Sequence, residues 1–359
     1  MSTQSKKILN GYHVIFLVQN AMIGTGILTL PRNLSAVGYS QILLPLLFGV
    51  IASLTIWPMI WLNKKYPTDN LFQINEQLLG KTLGKTINIF IIIQMIVFIA
   101  GTIGYYLDLI QSTILPEQRI TMQLILLLLL LLYIVNGGIK GIARFCILAF
   151  FLTIGIFYFT HWAFQKGELS HIFPLFNFTG SELFDAVSKG YLSIVGYELI
   201  MFYFPYISEQ KKAFKHALIG IWISVSLCFI TVFISVMYYS EWQLKHIKFT
   251  ILNLFKAGDL SFIERIDVLF MSLWVVLVLS TLAVYLWSAK EGIVSIMKKK
   301  HKYLLFIIGI VIFAIIELPI PREVHDKLFK VNDYLLYALI IWPIFLCFLY
   351  LLRKKKVEL

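Results

Sequence analysis

The sequence predicts an all-α, polytopic membrane protein: ten transmembrane helices in a five-plus-five inverted repeat, with helices 1 and 6 broken at mid-membrane. Three observations lead there. The 359-residue chain is 59% hydrophobic and only 14% charged, with a mean hydropathy of +0.82, which no water-exposed surface of this size accommodates. Ten charge-poor runs are each long enough to cross about 30 Å of hydrocarbon. The first run of each half carries glycines where an uninterrupted helix is expected. Cytosolic enzymes, nucleic-acid binders and secreted disulfide scaffolds are excluded on composition alone.

The first five runs are 12–30, 33–63, 86–107, 120–139 and 145–165, making a repeat of about 10–165. After a polar connector come 190–208, interrupted only by Glu198, then 217–240, 268–289, 303–318 with Glu317 near its end, and 334–352, a second repeat of about 182–353. The whole chain, 1–359, reads as one transmembrane domain. The first run has no small-residue cleavage site and contains Pro31, so it reads as a retained span, not a signal peptide. An even count puts both termini on one side. Twenty of the 31 Lys and Arg residues fall on the connections that share the termini's side, so that side is cytoplasmic by the positive-inside rule. The basic runs at 298–302 and 353–356 follow hydrophobic spans directly and point to anionic membrane lipids, with no nucleic acid involved.

Two connections carry structure of their own. On the cytoplasmic side, Thr68 or Asp69 can cap a surface helix over about 69–79 that Gly80 ends. Outside, 241–262 places Leu244, Ile247, Ile251, Leu254 and Phe255 at helical spacing, an expected outer lid. Gly80-Lys81-Thr82 and Gly84-Lys85-Thr86 look like the ends of phosphate loops, but neither has a Gly five residues earlier, so no nucleotide site is supported. Cys146, Cys228 and Cys347 lie inside apolar runs without a ligand-spaced partner; no metal site, cofactor or disulfide is expected. His161 and His171 have no partner at i+3 or i+4, and no Ser, His and acid set lies at membrane depth, so no catalytic residues and no enzyme activity are expected.

The chemistry concentrates at the two interruptions. Run 1 contains Gly24-Thr25-Gly26-Ile27-Leu28 and then Pro31; run 6 contains Val195-Gly196-Tyr197-Glu198 and then Pro205. Unpaired backbone in hydrocarbon costs several kcal/mol per group, so matching breaks persist where protein, water or ligand satisfies them. Amides opening the second half of span 1, near Gly26 and Ile27, suit a carboxylate, and carbonyls freed near Val195 and Gly196 suit an ammonium. One amino acid could bridge both. Glu198 is an ionisable group at depth, either a ligand contact or a hydrogen-bond tie to a neighbouring helix.

These residues carry a resemblance. The order of ten spans, Gly24-Thr25-Gly26-Ile27-Leu28-Thr29-Leu30-Pro31, and Gly196-Tyr197-Glu198 followed by Phe204-Pro205 resemble the B subunit of bacterial spore germinant receptors, over essentially the whole chain. That family is a permease-like branch of the amino acid-polyamine-organocation (APC) transporter superfamily. The resemblance implies a LeuT-like five-plus-five fold and a small-molecule site at the unwound parts of spans 1 and 6. It also implies an A subunit and a lipoprotein C subunit as partners, in the spore inner membrane, and a nutrient, such as an amino acid, as the ligand. Ser280-Thr281 in span 8 resembles the hydroxyl pair that binds sodium in sodium-coupled relatives, although such hydroxyls also bond back to their own helix. Span 5 lacks the buried Lys of proton-coupled relatives; Lys140 and Arg144 stand at its entrance.

Tyr105 and Asp108, near the outer end of span 3, complete the expected ligand-binding set of Gly24, Thr25, Gly26, Ile27, Val195, Gly196, Tyr197, Glu198 and Thr281. An interfacial position is the alternative for Asp108, and Lys189 is expected to snorkel to the interface. The reading is a nutrient-sensing subunit that signals through partners; a secondary amino-acid transporter using the same site is the alternative.

Overall fold

The computed structural model describes residues 8–114, 119–258, 266–298, 301–318 and 322–357. Within them the chain is nearly all helix, and no strand is present. Among the described residues, six helical stretches are long and apolar enough to cross a membrane: Ser35–Lys65, which is kinked at Gly38, Lys81–Thr113, Gly138–Lys166, Gln210–Tyr238, Val268–Met297 and Val331–Arg353. A seventh crossing is available to Gly11–Met22 and Gly26–Asn33 together, which meet at 44°. Thr121–Asn136 and Leu304–Glu317 are apolar but shorter, and 190–208 is assembled from short helical pieces. Every run singled out by hydropathy is therefore helical or a chain of helical turns.

The helices overrun the charge-free windows, because a helix continues into the interface where Lys and Arg are solvated. Helix Gly138–Ile154 begins before Phe145 and carries Lys140 and Arg144 within its own turns. Exposed Leu46, Leu54, Trp57, Phe90, Leu129 and Phe306 form an apolar exterior that water would not tolerate. The interior is closed by fully buried aromatics, among them Trp274, Tyr106, Tyr197, Tyr203 and Tyr285. The chain is thus a multi-pass membrane protein.

Helix starts are fixed by reciprocal side-chain caps. Asn10 with His13, Asn70 with Gln73, Thr179 with Glu182 and Ser240 with Gln243 each satisfy two otherwise unpaired amides. The surface helix spans Leu71–Leu79, and its cap is Asn70, not Thr68 or Asp69, because Gln73 at the third position returns the bond. Gly80, at φ +87°, turns this helix directly into Lys81–Thr113, so the first Gly-Lys-Thr is a helix junction. The 241–262 segment is two short helices, Glu241–His246 and Thr250–Phe255, separated where Ile247 is extended; its end, 259–262, lies outside the described residues. Lys6, Lys7, Lys299 and Lys300 lie outside them too.

Contacts between connections sort the ends of the helices. Ile8 and Leu9 amides donate to the Tyr206 carbonyl at 2.9 and 3.0 Å, joining the start of run 1 to the end of run 6. Gln210 donates to the Pro67 carbonyl and Arg353 to that of Gln77, placing the ends of runs 2 and 10 beside them. At the other end the Glu168 amide donates to the Met237 carbonyl, and the Phe176 amide to the Ser40 hydroxyl.

Candidate functional site

Helix Gly11–Met22 is central, packed against Ala213–Tyr238, Gly138–Ile154 and Ile266–Met297. It stops at Ile23, whose backbone is extended, and resumes as a 3-10 turn, Gly26–Thr29, followed by Leu30–Asn33. The carbonyls this break frees are capped by side chains. The Thr281 hydroxyl lies 2.7 Å from the Asn20 carbonyl and 3.0 Å from that of Ile23. Ser280 donates to the Asn20 side-chain oxygen at 2.7 Å, and Ser224 donates to the Gln19 carbonyl. The Asn20 side-chain amide in turn donates to the Cys146 carbonyl at 3.0 Å, so three helices converge on one end of helix Gly11–Met22.

The second break follows helix Gly180–Gly190, whose cap holds the Glu182 carboxyl below its ordinary range through the Thr179 amide and hydroxyl. The chain tightens to a 3-10 turn, Tyr191–Ile194, becomes extended at Val195, and takes φ +125° at Gly196. It re-enters helical turns at Tyr197–Leu199 and Ile200–Tyr203. Glu198 is 1% exposed and faces its own break: the Gly196 amide donates to Oε2 at 2.7 Å, and the Tyr285 hydroxyl to Oε1 at 3.3 Å. The Tyr197 hydroxyl lies 2.6 Å from that of Thr55 and 2.7 Å from that of Tyr191, tying the same turn to run 2.

The two breaks touch. A Cβ on Gly26 would stand 2.8 Å from the Ser193 Cα, and one on Gly196 would run into the Ala21 carbonyl oxygen. At both places only hydrogen fits between the backbones. Gly24 instead faces the Thr281 side chain at ordinary contact distance.

Beside this crossing lies a cavity of about 610 Å³, walled by Thr25, Gly26, Tyr105, Ser193, Asp333 and Tyr337 among others. A second of about 440 Å³ shares Thr25, Tyr105 and Asp333 with it and adds Asp108 and Asn332. Both volumes suit a small molecule. Of the residues expected from sequence, Thr25, Gly26, Tyr105 and Asp108 meet in these walls. Gly24, Thr281 and Ser280 sit at the capped end of helix Gly11–Met22. Ile27, Val195, Gly196, Tyr197 and Glu198 are in the packing of the crossing and do not line either cavity. The sequence reading missed Asn332, Asp333 and Tyr337, all at the start of run 10, and Ser193 and Tyr285. A polar pair at the edge of an apolar run looks like any interfacial helix end, so only tertiary placement reveals Asn332 and Asp333. Among the described residues, no three His, Cys, Asp or Glu side chains converge as a metal site would require.

The fold is that of a polytopic helical membrane protein with a cavity beside two broken helices. Over 95% of its length the chain superposes on 78% of MHP1, a nucleobase-cation-symport-1 family transporter solved closed with bromovinylhydantoin bound, at TM-score 0.66 and 11% identity. Residues 8–324 match the family described as spore germination protein, and the chain belongs to that family. Among its relatives, spore germination protein A2 of Bacillus subtilis (strain 168) is 24% identical, over 97% of this chain and 96% of that one. Spore germination protein B2 of the same strain is 24% identical, with 98% of each chain covered. Spore germination protein GerQB of Bacillus cereus is 24% identical over 85% of this chain and 84% of its own.

Proposed function

We propose that this chain is the nutrient-sensing, permease-like subunit of a spore germinant receptor. In this reading it lies in the spore inner membrane as ten spans in a five-plus-five inverted repeat, termini cytoplasmic. A small nutrient, an amino acid in the first instance, binds where the breaks of spans 1 and 6 cross. The observation that carries the reading is the contact of the two interruptions, Gly26 on Ser193 and Gly196 on Ala21, beside a cavity of about 610 Å³. Family membership supplies the germination context. Thr25, Gly26, Tyr105 and Asp108 contact the ligand; Gly24, Ile27, Val195, Gly196, Tyr197, Glu198 and Thr281 shape the crossing. Occupancy rocks one helix bundle against the other and is passed to the A subunit and the lipoprotein C subunit.

Full alternating access is the second reading, a secondary amino-acid transporter. It is favoured by the likeness to a cation symporter and by the Asn20, Ile23, Ser280 and Thr281 oxygens gathered at one helix end, the candidate ion site. Two measurements on the same protein separate the readings: ligand-dependent thermal stabilisation of the purified chain, and uptake of labelled amino acid into liposomes under a sodium or proton gradient. Stabilisation without uptake, with germination restored only when A and C partners are co-expressed, is expected. Robust gradient-driven uptake by the chain alone overturns the receptor reading.

A further inference from the structure

The seam between runs 2 and 7 carries charge that no acid of the same connections balances. Helix Leu44–Lys65 packs along Ala213–Tyr238, with Gly49 set against the Val225 and Trp222 side chains. At its end the Lys64 ammonium reaches across to the Lys211 carbonyl at 3.3 Å, and Lys215 follows about one turn further along run 7. Lys64, Lys211 and Lys215 are all exposed, and among the described residues none of them forms an ion pair. The nearby acids are engaged elsewhere: Glu209 holds Lys212 at 2.7 Å, and Asp69 accepts from the Gln77 and Thr68 side chains. Cations gathered across two helix ends repel one another unless an anion lies among them.

Each helix also places a tryptophan below its lysine. Trp57 stands seven residues before Lys64 and Trp222 seven after Lys215, close to two full turns, so each pair shares a face and is separated by about 10 Å along the helix. Trp57 is 58% exposed and Trp222 39%, as side chains that meet lipid are. Lysines at the interface above lipid-exposed indoles match a phospholipid along its length, ammonium groups for the phosphate and rings for the glycerol and upper acyl chain. An acidic protein segment would use the lysines and leave the indoles idle.

We infer that this seam is a binding site for an anionic phospholipid, whose phosphate sits among Lys64, Lys211 and Lys215 and whose acyl chain lies against Trp57 and Trp222. The headgroup ties run 2 to run 7 beside the Gln210–Pro67 and Leu9–Tyr206 hydrogen bonds that join the ends of runs 1, 2 and 6. The inference requires only that the chain spans a membrane and is independent of what the cavity holds.

The test uses the full chain reconstituted in phosphatidylcholine, with a rising fraction of either phosphatidylglycerol or phosphatidylcholine bearing dibrominated acyl chains, and reads quenching of tryptophan fluorescence. Phosphatidylglycerol should be preferred about tenfold or more, each lysine contributing about fivefold. The quenching that reports this preference should vanish in Trp57→Phe with Trp222→Phe. Lys64→Gln with Lys211→Gln should bring the two lipids level, and Lys64→Arg with Lys211→Arg should keep the preference. Lys81→Gln with Lys85→Gln, which removes the same charge from the start of run 3, should leave it intact. Inorganic phosphate added to phosphatidylcholine vesicles should not move the thermal midpoint, whereas phosphatidylglycerol should raise it. Should the glutamine pair at Lys64 and Lys211 fail to reconstitute, a loss of about fivefold in Lys215→Gln decides the matter. Equal quenching by the two lipids overturns the inference and leaves the lysines to an acidic partner. Equal losses from the Lys64–Lys211 and Lys81–Lys85 pairs overturn it in favour of general surface potential, and stabilisation by inorganic phosphate as strong as by lipid overturns it in favour of a free anion.

Discussion

The crossing of the two breaks predicts opposite outcomes for alanine at two glycines in equivalent company. At Gly196 the backbone holds φ +125°, a region in which a side chain costs about 1–3 kcal/mol. The added Cβ would also run into the Ala21 carbonyl oxygen and stand 2.6 Å from its carbon, both backbone atoms, so the two broken segments must separate. Separation strips the Gly196 amide from Glu198 and leaves a buried carboxyl short of a 2.7 Å hydrogen bond, a further loss of about 1–3 kcal/mol. Together these reach about 2–6 kcal/mol, a large share of a typical folding free energy of about 5–15 kcal/mol. At Gly24 the new methyl meets Thr281 Cγ2 at 3.5 Å, ordinary contact, and no such loss arises. Both variants are expressed as fluorescent fusions and assayed by size-exclusion profile and thermal midpoint in one detergent. Gly196→Ala should give little monodisperse protein or a midpoint lowered by several degrees; Gly24→Ala should match wild type closely. A Gly196→Ala protein as stable as Gly24→Ala would refute the close approach of the breaks.

Thr281→Val keeps the shape of the side chain but uncaps the Asn20 and Ile23 carbonyls, so stability should fall by about 1–3 kcal/mol, read as a lower thermal midpoint. Sodium titration of the same pair distinguishes cap from ion site: equal sodium response in both proteins marks a cap, and sodium stabilisation present in wild type and lost in Thr281→Val marks an ion site. Glu198→Gln retains an oxygen for the Gly196 amide and should accumulate at normal level; unchanged nutrient response across pH would confine Glu198 to structure. Single cysteines replacing Lys211, and separately Glu168 or Lys327, should be labelled from the cytoplasmic and the outer side respectively, and the reverse pattern would invert the topology. Asn70→Ala removes the cap of helix Leu71–Leu79 at about 1 kcal/mol, and should weaken germination signalling more than ligand binding if that helix docks a partner.

What could be read in advance divides along a physical line. Lipid demands a minimum run of apolar residues, so 86–107 and 217–240 announced helices Lys81–Thr113 and Ala213–Tyr238, though not the turns that extend beyond the charge-free window. Glycines at both breaks were legible because a helix interior resists them, and Gly26 and Gly196 sit where backbone approaches backbone. Their chemistry was less legible, since a freed carbonyl looks the same in sequence whether a ligand or a hydroxyl satisfies it. Here Thr281 satisfies those of span 1, and Glu198, the natural suspect for a ligand contact, is occupied by the Gly196 amide and the Tyr285 hydroxyl, 87 residues away along the chain. The cavity's polar wall came from the opposite quarter. Asn332 and Asp333 lie at the edge of run 10, where polar residues are expected for solvation, and only the packing of that helix beside Tyr105 and Thr25 turns them inward. A break in a helix thus marks where a site can form. Which side chains furnish it is decided by the unbroken helices packed around it, and their polar residues are hidden among ordinary helix ends.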